Sequence, residues 1–429
     1  MKTRRILALM FAAITLPCAA ADKVVVTVEN TSKWQRGEGE MVEVDANAIA
    51  QRLYGRQHTL TATDVVVSAE YGDTLPCQLT YDGKLIFQCP LVSAKGKRRV
   101  FVTKAAEASA HKAMPQVAGR LYPERQADFS FENDRVAYRI YGPETQRKGE
   151  KLYGYDIFNK RTDKMVLDKW YDLQCDQQMW ATVSKLRKMG QRNVADDVYN
   201  YGFCYHVDHG EGMDCYKVGS TLGAGTNALM RGEDIVYPWC FREAEVLDNG
   251  PLRLTVRLTF APVDIDGASV TETRVLTIDA GSSMVKASVS WQGLPSGLTP
   301  VAGIAVHKEN PTAYIINKEK GYVAYEDLGD PDIYQKRYRD AQDPDKGKCF
   351  IGCLVPHAAS CQYVPLPKET SGALGHLMVK GTAKPSMEYY FGNAWNRNGQ
   401  VGIDTMADWQ HYLDRYARQV ATPLKVSVK

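Results

Sequence analysis

The chain has 429 residues, and 53 Lys and Arg stand against 50 Asp and Glu, so its formal net charge is only +3. Lys2, Arg4 and Arg5 account for that whole excess. A chain without a charge surplus is not steered as a whole toward nucleic acid or an anionic membrane, so any attraction for a charged ligand must be local. We therefore expect no nucleic-acid partner, and the length favours two domains.

The first residues have the pattern of a secretory signal peptide. A basic start, "MKTRR", precedes the short apolar run "ILALMFAAITL" and the small residues of "PCAAADK". This pattern predicts a signal peptide over residues 1–21 and a periplasmic or secreted location. Cys18 follows Thr-Leu-Pro, which fits a lipid-anchored cysteine poorly. No later apolar run is long enough to cross a bilayer, so no membrane span is expected.

Residues 22–104 contain short alternating runs such as "KVVVTVEN", "GEMVEVD" and "DVVVSAEY". Alternation with turn residues between the runs predicts a small antiparallel β-sandwich. Within it, "QLTYDGKLIFQ" is typical of a hairpin that turns at Asp82-Gly83. Cys77 and Cys89 flank this hairpin, and opposed positions in an oxidising compartment predict a disulfide between them.

Residues 105–128 show no alternation and contain two prolines, so we predict a linker. Strand patterns resume over residues 129–429 without the alternation of strands and helices that marks a parallel sheet, which predicts a large antiparallel β-sandwich. A helix is expected in "DTMADWQHYLDRYARQV", and a weaker one over residues 172–190. The predicted fold class is all-β, with a small and a large sandwich and few short helices.

The segment "YHVDHGEGMDCYKVG", residues 205–219, concentrates polar side chains between glycines, as expected of a loop. One interpretation is a solvated loop. A second is a metal site formed by His206, Asp208 and His209. A third is an acid–base pair of a histidine with Tyr205 or Tyr216, since imidazole titrates near neutrality. No cofactor is expected, and a divalent metal is an alternative.

His307 ends the strand pattern "VAGIAVHKEN". Alternation places it on one face with Gly303 and Ala305, whose small side chains leave room for a ligand. The alternative is a core histidine at a strand end. Arg135 and Arg139 are predicted on one strand face, where they either form structural salt bridges or bind a carboxylate.

Aromatic, amide and basic residues suggest a sugar ligand. Trp395 and Asn393 lie in "YYFGNAWNRNG", Trp170 lies in "LDKWYD", and Lys217 follows Tyr216. Each aromatic alone is more often part of a core. Several together, in a secreted β-sandwich, favour an oligosaccharide as the partner.

Four motifs carry a family resemblance: "CQLTYDGKLIFQ", "FENDRVAYRIYGPE", "YDIFNKRTDKMVLDKWY" and "YHVDHGEGMDCYKVGSTLGAGT". The chain resembles a family of secreted bacterial proteins, long described only as a domain of unknown function, that includes the ulvan oligosaccharide dehydratase. The resemblance implies a galactose-mutarotase-like supersandwich for the large domain. It also implies removal of water across C4 and C5 of a non-reducing-end uronic acid.

Such an elimination needs a cation or amide on the carboxylate, a base for the C5 proton and an acid for the 4-hydroxyl. The hypothesis assigns His209 or His307 as base, Tyr216 or His206 as acid, and Arg135 as the cation, with all three histidines converging on one pocket.

Three other function classes stay open. A glycoside hydrolase would use Glu211 and Asp214, since it needs two carboxylates. A sugar epimerase on the same fold and a non-catalytic glycan-binding protein are the other two.

Overall fold

The computed structural model describes residues 21–37, 39–55, 58–106, 114–330 and 346–429. Most of the predicted signal peptide, residues 1–21, lies outside these ranges. The described residues form 27 strands and six helices, and every pair of strands in the sheets is antiparallel. The predicted all-β fold class is therefore confirmed.

The elements are numbered in chain order. The strands of the first part of the chain are β1 (Lys23–Glu29), β2 (Met41–Asp45), β3 (Val65–Ala69), β4 (Thr74–Leu75), β5 (Cys77–Leu79), β6 (Lys84–Gln88) and β7 (Lys97–Lys104). The next group is β8 (Val117–Tyr122), β9 (Asp128–Asn133), β10 (Ala137–Ile140), β11 (Asp156–Lys160), β12 (Gly212–Asp214), β13 (Ala224–Arg231) and β14 (Asp234–Val236). Longer strands follow, namely β15 (Phe241–Asn249), β16 (Arg253–Phe260), β17 (Val263–Ile265), β18 (Ala268–Asp279), β19 (Met284–Gln292) and β20 (Thr299–His307). The last are β21 (Tyr314–Asn317), β22 (Tyr322–Asp327), β23 (Cys349–Leu354), β24 (Ser360–Thr370), β25 (Ala373–Lys380), β26 (Ser386–Trp395) and β27 (Lys425–Val428). The helices are α1 (Ala46–Leu53), α2 (Pro143–Arg147), α3 (Leu167–Gln174), α4 (Gln177–Lys188), α5 (Arg192–Gly202) and α6 (Met406–Ala421).

The N-terminal part packs a five-stranded sheet, in the order β27-β1-β7-β3-β4, and a three-stranded sheet, β2-β6-β5, around one hydrophobic core. Strict alternation places Val24, Val26 and Val28 of β1 in that core. Helix α1 closes the core. Its N-terminus is capped by the Asp45 carboxylate, which accepts hydrogen bonds from two backbone amides of the first turn.

Two strands do not fit the predicted division into domains. The predicted linker, residues 105–128, contains β8, which pairs with β9. Gly119 faces inward in β8, where Leu254 and Phe131 already fill the space that a side chain would need. The sequence of β8 therefore shows no alternation of apolar and polar residues. In addition, β27 comes from the predicted large domain but pairs with β1. The division at residues 104–128 otherwise stays a prediction.

The predicted Cys77–Cys89 disulfide is not present, and both residues are free thiols. The hairpin turns one residue earlier than expected, because Gly83 takes a positive φ of 76° at the end of the turn. Strand pairing therefore places Cys77 opposite Phe87 instead of Cys89.

The large part contains three sheets that share one core. They are a five-stranded sheet, β12-β11-β10-β9-β8, a second one, β14-β13-β20-β25-β24, and a nine-stranded sheet, β15-β16-β18-β19-β26-β23-β22-β21, with β17 attached to β18. Side chains from all three sheets meet in this core, for example Tyr138, Ile304 and Phe391. Strand β20 is the central strand of its sheet, between β13 and β25, and nearly all of its residues are buried.

The helices lie outside the sheets. Helix α6 confirms the predicted C-terminal helix, and its Trp409 and Leu413 pack where Gly352 of β23 leaves room. The weaker prediction over residues 172–190 corresponds to α3 and α4, which are separated at Cys175 and Asp176. With α5 they form an insertion between β11 and β12. None of the helices in the described ranges combines the length and hydropathy needed to cross a membrane.

The alternation of β1 gives a direct test of the N-terminal core. Val26→Ala removes two buried methyl groups and should lower the free energy of unfolding by about 2 kcal/mol. Val25→Ala, on the opposite face of the same strand, should cost clearly less because Val25 is only half-buried. Urea unfolding of both variants measures the difference, and equal losses would contradict the assigned face.

Candidate active site

The loop after α5 is shaped by glycines that lie close to other backbone segments. Gly212 has a φ of 120°, and a Cβ there would lie 2.0 Å from the Asn159 carbonyl oxygen. A side chain would therefore push β12 away from β11. This backbone constraint explains part of the glycine content of the motif and directs Asp214 and Tyr216 into the protein.

His307, at the end of β20, forms a buried pair with Asp327 at the end of β22. Its Nδ1 lies 2.6 Å from Asp327 Oδ2, and the side chains are only 6% and 2% exposed. Burial lowers the pKa of His307, but the nearby carboxylates, Asp327 first among them, together outweigh burial, so the pKa is raised above its ordinary value. The other ring nitrogen, Nε2, is buried without a hydrogen-bond partner in the described residues.

Tyr216 packs edge-on against this histidine, with ring centroids 5.6 Å apart. Burial, and next the Asp327 charge, raise the pKa of Tyr216 well above its ordinary value, so its phenol keeps its proton. The hydroxyl is also buried without a hydrogen-bond partner among the described residues. Two adjacent unpartnered polar groups are costly in a folded protein, which points to a ligand that completes them.

Charged groups lie beside the pair. Lys217 Nζ is 3.3 Å from Asp330 Oδ1, and Asp330 is close enough to His307 to contribute to its raised pKa. Lys346 donates to the backbone carbonyl of Asp330. The site is therefore bordered by two lysines and one aspartate. The chain between Asp330 and Lys346 lies outside the described residues.

Two buried amides belong to the same region. Asn159 Nδ2 donates to Cys215 Sγ at 3.1 Å, and Asn393 Nδ2 lies 3.9 Å from Cys349 Sγ. The carboxamide oxygens of both residues have no partner among the described residues. Thiols are weak acceptors, so these amides remain available for stronger hydrogen bonds with a ligand.

A second cluster consists of buried carboxylates around Arg139. The guanidinium lies 2.8 Å from Asp128 and 3.5 Å from Asp156, and the Tyr141 hydroxyl donates to Asp156 at 2.7 Å. Burial, reinforced by the charge of Asp214, raises the pKa of Asp156 to about 8. Burial raises the pKa of Asp214 to about 7, although Arg139 opposes this.

His206 lies against this second cluster. Its Nδ1 is 2.9 Å from the Asp214 carbonyl oxygen, and burial lowers its pKa. Tyr205 is buried and accepts a hydrogen bond from Arg125 at 3.1 Å. Arg125 was missed by the sequence analysis because it falls within the predicted linker. Its Nε is buried without a partner in the described residues, so it is a further candidate for binding an anion.

The structure does not bring all the predicted residues together. His209 is exposed, and its ring contacts the Cys204 carbonyl oxygen at 3.1 Å, whereas His307 is buried against Asp327. Arg135 lies in the turn between β9 and β10 instead of on a strand face, with its Nε 3.9 Å from Asp134.

Neither predicted tryptophan platform is accessible. Trp170 is 6% exposed and packs on Phe158, and Trp395 is 2% exposed and donates to the Lys346 carbonyl oxygen at 2.9 Å. Both indoles are core residues, because Trp170 packs with other buried aromatic residues and Trp395 packs against the segment from Cys204 to Cys215.

The proposed metal ligands also diverge. Asp208 accepts hydrogen bonds from the backbone amides of Gly210 and Gly212, whereas His206 and His209 contact different carbonyl groups. Across the described ranges, no group of three or more His, Cys, Asp or Glu residues is arranged to hold a metal ion. The expectation that no cofactor is needed stays a prediction.

Comparison with known proteins defines the family. The chain belongs to the family described as "Domain of unknown function (DUF4861)", which matches residues 28–426. It is similar to "Uncharacterized protein P7" of Formosa agariphila, with 26% identity over 317 residues, 72% of this chain and 69% of that protein.

Two solved structures from Enterococcus faecalis also match. The first is an α-mannosidase, with 10% sequence identity and a TM-score of 0.44; the match covers 95% of this chain and 46% of that one. The second is a glycosyl hydrolase family 38 protein, with 10% sequence identity and a TM-score of 0.44; the match covers 96% of this chain and 48% of that one. The chain spans about half the length of both structures.

The buried carboxylates predict how stability depends on pH. In the folded protein the pKa values of Asp156 and Asp214, about 8 and about 7, lie above the ordinary value of an aspartate. The protonated carboxyl groups therefore stabilise the fold; this contribution is complete below about pH 4 and is lost as the pH rises toward 8. The free energy of unfolding should fall by about 1.4 kcal/mol per pH unit for each such proton. Asp156→Asn should flatten this fall between pH 5 and 8, as measured by urea unfolding.

Asp163→Asn, at an exposed position, is the matched control and should keep the wild-type slope. An unchanged slope in Asp156→Asn would show that this carboxyl does not hold a proton in the folded state.

Proposed function

We propose that this protein is a carbohydrate-active enzyme that eliminates water from the non-reducing-end uronic acid of an oligosaccharide. The observation that supports the proposal is the buried His307–Asp327 pair, whose ring packs against that of Tyr216. A base and an acid thus lie side by side, and neither polar atom has a hydrogen-bond partner among the described residues.

His307 suits the role of base. Asp327 holds the proton of Nδ1 and leaves Nε2 as the acceptor for the C5 proton of the substrate. The imidazolium that forms is stabilised by the Asp327 carboxylate. The raised pKa makes the imidazole a stronger base.

Tyr216 suits the role of acid because its phenol is protonated. The C5–H bond breaks toward His307, the C4–O bond breaks as Tyr216 protonates the oxygen, a C4–C5 double bond forms, and one water leaves. The enzyme is left with an imidazolium and a phenolate, and proton return from the first to the second resets it. Hydroxide is a poor leaving group, so this protonation is essential.

The carboxylate of the uronic acid needs a positive or donor group so that its C5 proton becomes acidic. Lys217 fits better than Arg135, since its ammonium group reaches Asp330, which lies near His307. Asn159 and Asn393 can add hydrogen bonds.

The adjacency of base and acid has a stereochemical consequence. A proton and a hydroxyl taken by neighbouring side chains leave from the same face of the sugar ring. Gluco-configured uronic acids carry the C5 hydrogen and the 4-hydroxyl on one face, whereas galacto- and ido-configured ones carry them on opposite faces. The proposal therefore favours glucuronic acid at the non-reducing end.

The alternative functions fit less well. Glu211 is at the surface in an ion pair with Lys169, and Asp214 is buried beside Arg139, so the two do not form the open pair of carboxylates of a hydrolase. An epimerase would act at a single carbon and leave no double bond. The two tryptophans that the sequence offered as sugar platforms for a binding module, Trp170 and Trp395, are buried.

Substitution of the pair tests the proposal. His307→Gln and Tyr216→Phe should each lower kcat for elimination by about 10²- to 10⁴-fold while the fold is kept. The unsaturated product is followed by the ultraviolet absorbance of its conjugated acid. His209→Gln, at the exposed histidine, should stay within about twofold of the wild type.

Absence of the absorbance with glucuronate-ended oligosaccharides and wild-type protein would refute elimination. Full turnover in His307→Gln would refute the assigned base. A chelator should have little effect on the rate of elimination. If the chelator abolishes activity and added metal restores it, the metal alternative is favoured.

Asp327→Asn keeps a hydrogen-bond acceptor for His307 but removes the charge that raises its pKa. Because a base must be deprotonated, the acidic limb of the kcat/KM profile should move to lower pH, and the maximal rate should fall about tenfold or more. Glu309→Gln removes a weaker, half-buried contributor and should shift the limb less. A limb at the same pH in Asp327→Asn would contradict His307 as the titrating base.

A further inference from the structure

Helices α4 and α5 form a hairpin that projects from the sheets. Residues 177–202 contact mainly each other, around a small core of Val183, Ala195 and Phe203. Most of the outer positions of the two helices are exposed. Such an insertion is not needed to fill the main core of the protein, so its surface is free to serve another purpose.

The tip of the hairpin is basic. The sequence "KLRKMGQR" places Lys185, Arg187, Lys188 and Arg192 within eight residues, and no acidic residue occurs from Gln177 to Ala195. All four side chains are exposed. Arg187 pairs with Asp196 at 3.2 Å, whereas no carboxylate of the described chain pairs with Lys185, Lys188 or Arg192. Three uncompensated cations therefore share one tip in a chain that is otherwise nearly neutral.

One of these charges is unfavourable for the hairpin itself. Arg192 is the first residue of α5, where the helix dipole is positive and a basic side chain is disfavoured. A residue that is unfavourable for the local structure and is not compensated there often has a role in binding.

The hairpin adjoins the candidate active site. Helix α5 leads directly into Cys204 and Tyr205, and Tyr199 packs on the cluster that contains Cys215, the neighbour of Tyr216. Eleven residues of helix place the tip about 15 Å from that loop. Trp180 and Tyr201, which are 37% and 52% exposed, lie along the hairpin and can contact sugar rings.

We propose that the basic tip of this hairpin binds the anionic polysaccharide chain that extends from the uronic acid held at the active site. This inference rests on the proposed function for the identity of the partner, a polyuronate. The uncompensated cations attract its carboxylates, and the exposed aromatics follow its sugar rings. Attraction between exposed charges is screened by salt, so the contact should weaken steeply as ionic strength rises.

Binding to soluble β-1,4-polyglucuronate, measured by affinity electrophoresis, tests the surface without turnover. The triple variant Lys185→Ala/Lys188→Ala/Arg192→Ala should bind on the order of tenfold more weakly at low salt, since each exposed ion pair contributes modestly. The charge-matched control Lys33→Ala/Lys384→Ala/Lys425→Ala changes three exposed lysines elsewhere and should bind like the wild type. Hydroxyethyl cellulose, a neutral polymer with the same linkage, should not distinguish the three proteins.

Equal losses in both triple variants, or no loss in either, would overturn the proposal. Where elimination is observed, the ratio of kcat/KM on the polymer to kcat/KM on a disaccharide should fall in the hairpin variant. If the wild type does not catalyse elimination but only the hairpin variant loses polyuronate binding, the proposed enzyme activity is refuted and the proposed binding surface is supported.

Discussion

The buried contact between His307 and Asp327 depends on the packing of two different sheets. His307 ends β20 in a five-stranded sheet, and Asp327 ends β22 in the nine-stranded sheet. Their side chains meet only when the sheets are stacked in the correct register. The cost of burying a carboxylate is offset by the imidazole and by the Gly329 amide, which donates to the other oxygen at 2.7 Å. The site is thus a product of the core, and a small shift between the sheets would leave a charge without a partner.

A similar principle holds the helical insertion in place. Glu132 is buried beside Lys160 at 2.7 Å, and its second oxygen accepts hydrogen bonds from the Val166 and Leu167 amides at the start of α3. The carboxylate therefore serves at once as an ion-pair partner and as a helix cap. Because β9 and β11 supply the two charges, the sheet itself fixes where the insertion begins, and through α5 it fixes where the glycine-rich loop returns.

The sequence allowed some of this to be predicted. Strand alternation identified His307, and the polar motif identified Tyr216, because both signals are local. Asp327 was missed, since nothing in "GYVAYEDL" shows which sheet its neighbour belongs to. The error at Cys77 came from a turn displaced by one residue, which changes every cross-strand partner. Trp170 and Trp395 were misassigned because an indole has the same composition whether it faces sugar or core, and only packing decides.

The pairing of β27 with β1 has a consequence for how the polypeptide is made. Strand β1 must wait for residues near the other end of the described chain before this edge is covered. Until then β1 offers unpaired backbone groups, which can pair with any extended segment. The N-terminal sheet is accordingly completed only when β27 is available. Pairing with β27 removes this exposed edge, and the two ends of the described chain finish as neighbours.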